Sequence, residues 1–133
     1  MRAFYEEVIS KTAVAPQDAA AGAINGSEID TAGYDHVMLI VEVGAASGSP
    51  TAQTVDAKLQ DTATSGSGHA DISGATMTQI TLDNKQGTIK LNLSGKKRFV
   101  KAVVTPGFTG GTSPKIEVCG SFVLGKEKYQ PSA

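Results

Sequence analysis

The chain has no tryptophan, one cysteine (Cys119), and only four phenylalanines and three tyrosines in 133 residues. A single cysteine forms no intrachain disulfide, so a disulfide-stapled scaffold is excluded, and an unpaired thiol fits a reducing compartment. With aromatics at 5 % of the sequence, there is little from which to build a sugar-stacking platform. Histidine is nearly absent too, with only His36 and His69. An excess of one charge is also missing: 12 Lys and Arg face 13 Asp and Glu, for a formal net charge of −1. Nothing global draws such a chain to nucleic acid or to an anionic membrane. No apolar run approaches the roughly 20 residues of a membrane span. The opening residues, Met1 to Glu7, carry two acids where a signal peptide would have an apolar core. These absences predict a protein that acts without export, direct nucleic-acid contact or membrane insertion.

What is present is a β pattern. Gly, Ala, Ser and Thr are abundant, and no stretch repeats apolar residues at helical spacing over several turns. The longest apolar run, Tyr34 to Val43, puts Val37, Leu39, Val41 and Val43 on one strand face and His36, Met38, Ile40 and Glu42 on the other. One face is wholly aliphatic and the other is polar at its ends, as in a central strand whose second face is partly covered. Gln53 to Asp61 alternates with Val55, Ala57 and Leu59 inward. Thr88 to Leu93 does the same with Ile89, Leu91 and Leu93. Lys97 to Thr105 is a further strand, stopped by Pro106-Gly107, with Phe99 counted as core. Lys115 to Leu124 carries Ile116, Val118, Gly120, Phe122 and Leu124 on one face. Met77 to Leu82 is expected to be a strand, Asn25-Gly26 a tight turn, and Thr62 to Ala70 an exposed loop.

Seven to nine strands at this spacing, with no internal repeat, predict an all-β, single-domain antiparallel β-sandwich of the jelly-roll type. Its expected limits are an extended N-terminal arm over about residues 1–15 and a short C-terminal tail over about 125–133.

Candidate chemistry is sparse. His36 and His69 stand apart from any nucleophile or ligand set, and each reads more simply as a strand-end or loop residue. Cys119, mid-strand, reads as a buried inert thiol rather than a nucleophile. Asp56, Asp61, Asp71 and Asp83 are spread along the chain without EF-hand spacing, so a calcium site would have to be assembled from several segments. Asn25-Gly26-Ser27 and Asn92-Leu93-Ser94 match a glycosylation acceptor by chance. No catalytic constellation appears, so the sequence predicts neither an enzyme nor a cofactor. Lys96, Lys97 and Arg98, with Lys101 close by, form the only basic cluster. It reads either as a charged strand entry or as a docking patch for an acidic protein surface. Arg2, Phe4, Tyr5 and Tyr129 place charge and aromatic rings on the terminal segments, where they either cap the sandwich or anchor an interface.

Three segments together resemble a known family. They are Ile29 to Gly44, with its Thr31-Ala-Gly-Tyr-Asp35 lead-in; Val55 to Asp61, with Leu59-Gln60 before a Gly/Ser loop; and Arg98-Phe-Val-Lys-Ala102 within Lys97 to Thr105. The pattern is similar to the head decoration, or cement, proteins of tailed bacteriophages, above all the jelly-roll cement proteins of podophages. It spans Ile29 to Leu124 and marks strands and turns rather than chemistry. The loop Thr64-Ser-Gly-Ser-Gly68 departs from the acidic, aromatic-bearing loop commoner in that family. The resemblance implies a virion structural protein on the outer capsid surface, partnered by the major capsid protein and by itself as dimers or trimers. The alternatives from other classes are a tail or fibre component and a carbohydrate-binding sandwich.

Overall fold

The computed structural model describes residues 3–126, the Phe4 side chain excepted. Arg2 and Tyr129 lie outside the described residues. A 3-10 turn at Phe4–Glu6 leads into nine strands: β1 (Val8–Ala19), β2 (Ile24–Asn25), β3 (Ile29–Asp30), β4 (His36–Ser47), β5 (Ala52–Thr62), β6 (Ala70–Thr76), β7 (Gln86–Asn92), β8 (Phe99–Thr109) and β9 (Lys115–Gly125).

Two antiparallel sheets pack face to face. The first has the order β1-β9-β4-β7; the second has the order β2-β8-β5-β6, with β3 also on β8. The pairings nest along the chain: β1 with β9, β2 and β3 with β8, β4 with β7, and β5 with β6. β2 and β3 act as one strand interrupted at residues 26–28. A long antiparallel ribbon wrapped around a core gives this nested order, and the result is the expected jelly roll.

The alternation read from the sequence sets the core. Val37, Leu39, Val41 and Val43 of β4 meet Val55, Ala57 and Leu59 of β5 across the sandwich, with Phe122, Leu124, Val100 and Val104 fully buried between the sheets. Burying each of these Val, Leu and Phe side chains is worth about 1.5–3 kcal/mol.

Six local expectations are corrected. The N-terminal stretch is extended but is not an arm from Val8 onward. It pairs with β9 from Val8↔Gly125 to Ala19↔Ile116 as the first edge strand. A register shift between Thr12 and Val14 lets the consecutive residues Ala13 and Val14 both turn inward.

Asn25-Gly26 makes no tight turn, and neither residue has positive φ. Gly26 instead lies where two backbones crowd it. Its N–H donates to the Ala102 carbonyl at 2.8 Å, and the next N–H, of Ser27, donates to the Ala13 carbonyl at 2.8 Å. The chain thereby bridges β8 of one sheet and β1 of the other.

Met77 to Leu82 is not a strand. Met77 and Ile80 are both buried, and three-residue spacing cannot place two side chains on one face of an extended chain. The segment bows out between them and touches β5 through the Val55↔Ile80 bridge.

Pro106-Gly107 does not stop β8, which runs on to Thr109. Val55 exchanges both main-chain bonds with Ile80, so its pairing with Pro106 is a non-hydrogen-bonded one. The missing proline N–H therefore points away from β5, toward the side where Gly22 donates to the Pro106 carbonyl, and no ladder bond is lost.

Phe99 and Cys119 are not core residues. Val100 and Val118 point inward, so both neighbours lie on outer faces, half-buried.

Candidate interaction surface

The jelly-roll winding sends alternate connections to opposite ends. At one end lie the starts of β1 and β4, the end of β9, and the connections 31–35, 63–69 and 93–98. This end gathers Tyr5, Tyr34, Lys96, Lys97, Arg98 and Lys126, and so most of the residues that the sequence reading picked for partner binding. Tyr5 sits in the 3-10 turn with 70 % of its surface exposed. Phe4 shares that turn.

Within this end the connections are pinned. The Arg98 guanidinium makes a two-pronged contact with Asp30, Nε at 2.8 Å and Nη2 at 2.7 Å, and lies 5.2 Å from the Phe99 ring centre. Arg98 together with the Ala32 N–H holds the Asp30 carboxyl down to about 2. Thr31 donates its N–H and its hydroxyl to the Arg98 carbonyl, at 2.9 and 2.5 Å. The Lys97 N–H donates to the buried Asp61 carboxylate at 2.9 Å. Lys101 reaches Asn25 at 3.3 Å. The basic cluster thus divides: Arg98 and Lys101 are engaged within the chain, whereas Lys96 and the Lys97 side chain face solvent. Lys126 places its ammonium 5.9 Å from the Tyr34 ring centre, and its N–H donates to Glu7.

The loop 63–69 is pinned by a residue that sequence reading missed. The Glu28 carboxylate accepts from the Ser65 hydroxyl at 2.5 Å and the Gly66 N–H at 3.0 Å, and it meets His69 Nε2 at 2.6 Å. His69 is therefore packed, its side chain 12 % exposed, rather than a free loop residue. The acid lies between hydroxyl and imidazole. In a hydrolytic triad the imidazole occupies that middle place, so the trio forms a clasp. The contributing residues are 37 to 41 positions apart in sequence, and only the fold joins them.

The Ser65 hydroxyl, then the Gly66 N–H and His69, lower the Glu28 pKa. The clasp is thus at full strength above the ordinary glutamate range and weakens as pH falls through the lowered value. Glu28→Ala is expected to speed amide exchange at Gly66 roughly tenfold at neutral pH. Wild type should show the same acceleration only in acid, and an unchanged Gly66 rate in the variant would contradict the clasp.

Elsewhere the candidate residues do not converge. His36 lies exposed at the start of β4. Asp56 accepts from Gln79, Asp71 from Lys58 and Gln60, and Asp83 from Gln53 and the Ala46 N–H. Among the described residues no three His, Cys, Asp or Glu side chains are grouped to hold a metal ion. Cys119 lines a shallow groove with Pro16, Asp18, Glu42 and Glu117 on the outer face of the first sheet. No helix of the described residues is long and apolar enough to cross a membrane.

No protein-family model matches the chain, and no curated protein does. Among solved structures, the chain is similar to the SPBc2 prophage-derived protein YomS at 13 % identity and a TM-score of 0.47, over 89 % of this chain and 92 % of that one. It is also similar to a subunit of the Bacillus endospore appendages, disulfide-linked pili, at 10 % identity and 0.43, over 92 % and 90 %. A third likeness is to Desmodium yellow mottle tymovirus, at 13 % identity and 0.37, over 95 % and 91 %.

Proposed function

We propose that this chain is a virion structural protein, a decoration protein on the outer surface of a phage head. It docks through the loop end onto the major capsid protein, bridges neighbouring subunits and stabilises the shell. It acts without catalysis or cofactor, and its own copies meet as dimers or trimers near local symmetry axes. The observation that carries this reading is the loop end itself. Tyr5, Tyr34, Lys96, Lys97 and Lys126, from four separate stretches of chain, converge on one face. Asp30, Asp61 and Glu28 hold the connections of that face in place. A pre-organised set of aromatic and cationic side chains suits a fixed protein surface, because little ordering entropy is left to lose on binding. Many weak contacts repeated over a symmetric shell then act together. The phage-head resemblance of Ile29 to Leu124 supplies the identity of that surface.

The test is co-sedimentation with phage heads stripped of this protein, with light scattering for its own mass. Saturable binding at a fixed ratio to the major capsid protein is expected, lost when Lys96 and Lys97 are both changed to Glu. A folded protein that leaves the heads unbound would end the decoration reading and direct the search to tails, fibres and glycan arrays.

A further inference from the structure

The sandwich has four sheet edges, and three are built against further pairing. β1 carries Pro16 and two register shifts. β2 and β3 are two-residue strands interrupted around the crowded Gly26. β6 has a register shift and Gly74 at φ +77°. Proline, bulges and short strands are the usual protections of an edge.

Of the usual protections β7 has only an edge charge, Lys90. Gln86–Asn92 pairs with β4 in unbroken register. The Val43 N–H bonds the Lys85 carbonyl and the Leu93 N–H bonds the Asp35 carbonyl, so the odd-numbered residues of this segment face β4. The N–H and C=O groups of Gln86, Thr88, Lys90 and Asn92 therefore point out of the sheet.

A cleft of about 390 Å³ runs beside this edge, between β7 and the bowed segment 77–82. Met77, Ile80 and Leu82 supply its apolar wall, with Leu82 60 % exposed. Further along β7, beyond this cleft, Leu91 is half-buried. On the outer face, Lys90 has no ion pair among the described residues.

We infer that the β7 edge is an acceptor for an extended segment of another protein chain, which adds to the first sheet as a further strand. Its side chains alternate, apolar ones entering the cleft and polar ones on the outer face, with a carboxylate beside Lys90. Main-chain bonds at alternate residues hold such a strand, and the cleft and Lys90 choose it. A second copy of this chain fits less well. Full-length antiparallel pairing of β7 with itself puts the two Lys90 side chains on one face as diagonal neighbours, where like charges repel. The inference adds a second contact to the decoration reading and rests on it only for the identity of the partner.

The probe is a capped synthetic peptide of alternating Thr and Val with one central Glu, titrated into the isotopically labelled protein. Amide shifts are expected along 86–92 and at Met77 to Leu82, with slowed exchange at Thr88 and Lys90. Thr88→Pro removes an outward N–H that bonds nothing within the sheet, so the fold should persist and binding should vanish. Lys90→Glu should weaken this peptide roughly threefold and favour one with a central Lys by a similar factor. That charge swap decides the matter should the proline variant fail to fold.

No shifts at millimolar peptide, or shifts confined to other strands, would overturn the inference. So would a concentration-dependent dimer of the wild type that Thr88→Pro abolishes and Lys90→Thr strengthens, since the occupant would then be a second copy. The two proposals separate cleanly. Peptide binding at β7 without head binding sinks the decoration reading alone. Head binding that Thr88→Pro leaves intact, with no peptide response, sinks this one alone.

Discussion

Gly26→Ala is expected to cost about 3 kcal/mol and to lower the melting temperature by about 12 °C. A Cβ at this position would stand 2.4 Å from the Ala13 carbonyl oxygen and 2.9 Å from that of Ala102. Both are backbone atoms of paired strands, so neither can swing aside as a side-chain tip would. Relieving the clash means moving β1 away from β8, and with it the bonds that Gly26 and Ser27 make to those two carbonyls. Gly120→Ala is the control. Gly120 is buried and, like Gly26, without positive φ, but its added methyl would meet its neighbours at 3.6 Å, ordinary contact. It should change stability by less than about 1 kcal/mol. Thermal and urea unfolding of both variants decides the point. Near-equal effects would mean that the crossing at residue 26 is not tight.

The other large effect is expected at Phe122. Phe122→Ala should cost about 4 kcal/mol, through lost burial and the cavity left behind. The side chain is fully buried in the middle of β9, opposite Leu39 of β4 and Lys11 of β1. As an inner strand of its sheet, β9 has no free side from which neighbours could close over the hole. Domains are commonly stable by only about 5–15 kcal/mol, so this is a large share of the total. Phe99→Ala, from the half-buried outer face of the second sheet, should cost about 1 kcal/mol. Urea midpoints at constant slope would distinguish the two, and equal losses would place Phe99 in the core after all.

The contrast between these phenylalanines shows how far a sequence pattern reaches. In β9 the period of two is clean, and Phe122 falls in phase with Ile116, Val118 and Leu124. In β8 the run Val100, Ala102, Val103, Val104 contains three consecutive apolar residues, so phase is ambiguous at Phe99. The pairing with β5 settles it: Leu59↔Ala102 is an inward pair, and Thr62↔Phe99 lies three residues away on the other face. Pro106 was misleading for the same reason. Whether a proline ends a strand depends on which edge its missing N–H would face, and that belongs to the sheet rather than to the residue.

The candidate surface was legible only in part. Lys96, Lys97 and Arg98 stand out in the sequence as a charge cluster, and Tyr5 as a terminal aromatic. Nothing in their spacing showed that residues 5 and 96–98 share one end of the molecule, or that Asp30 takes Arg98 out of the cluster. Glu28 carried no signal at all, because a carboxylate in a polar stretch is ordinary until Ser65, Gly66 and His69 are folded onto it.

Local sequence pattern was enough for β4, β5, β7 and β9, for their inward faces and for the sandwich class. Alternation every second residue is a local consequence of backbone geometry, and the cost of exposing Val, Ile, Leu and Phe then fixes which face turns in. The order of strands within each sheet was decided only by tertiary structure, as were the crossing at Gly26, the bow of Met77 to Leu82 and the clasps on the loop end. Each depends on main-chain groups or charges brought together from distant positions, and hydrogen-bond satisfaction in a closed core selects among arrangements that share the same local pattern.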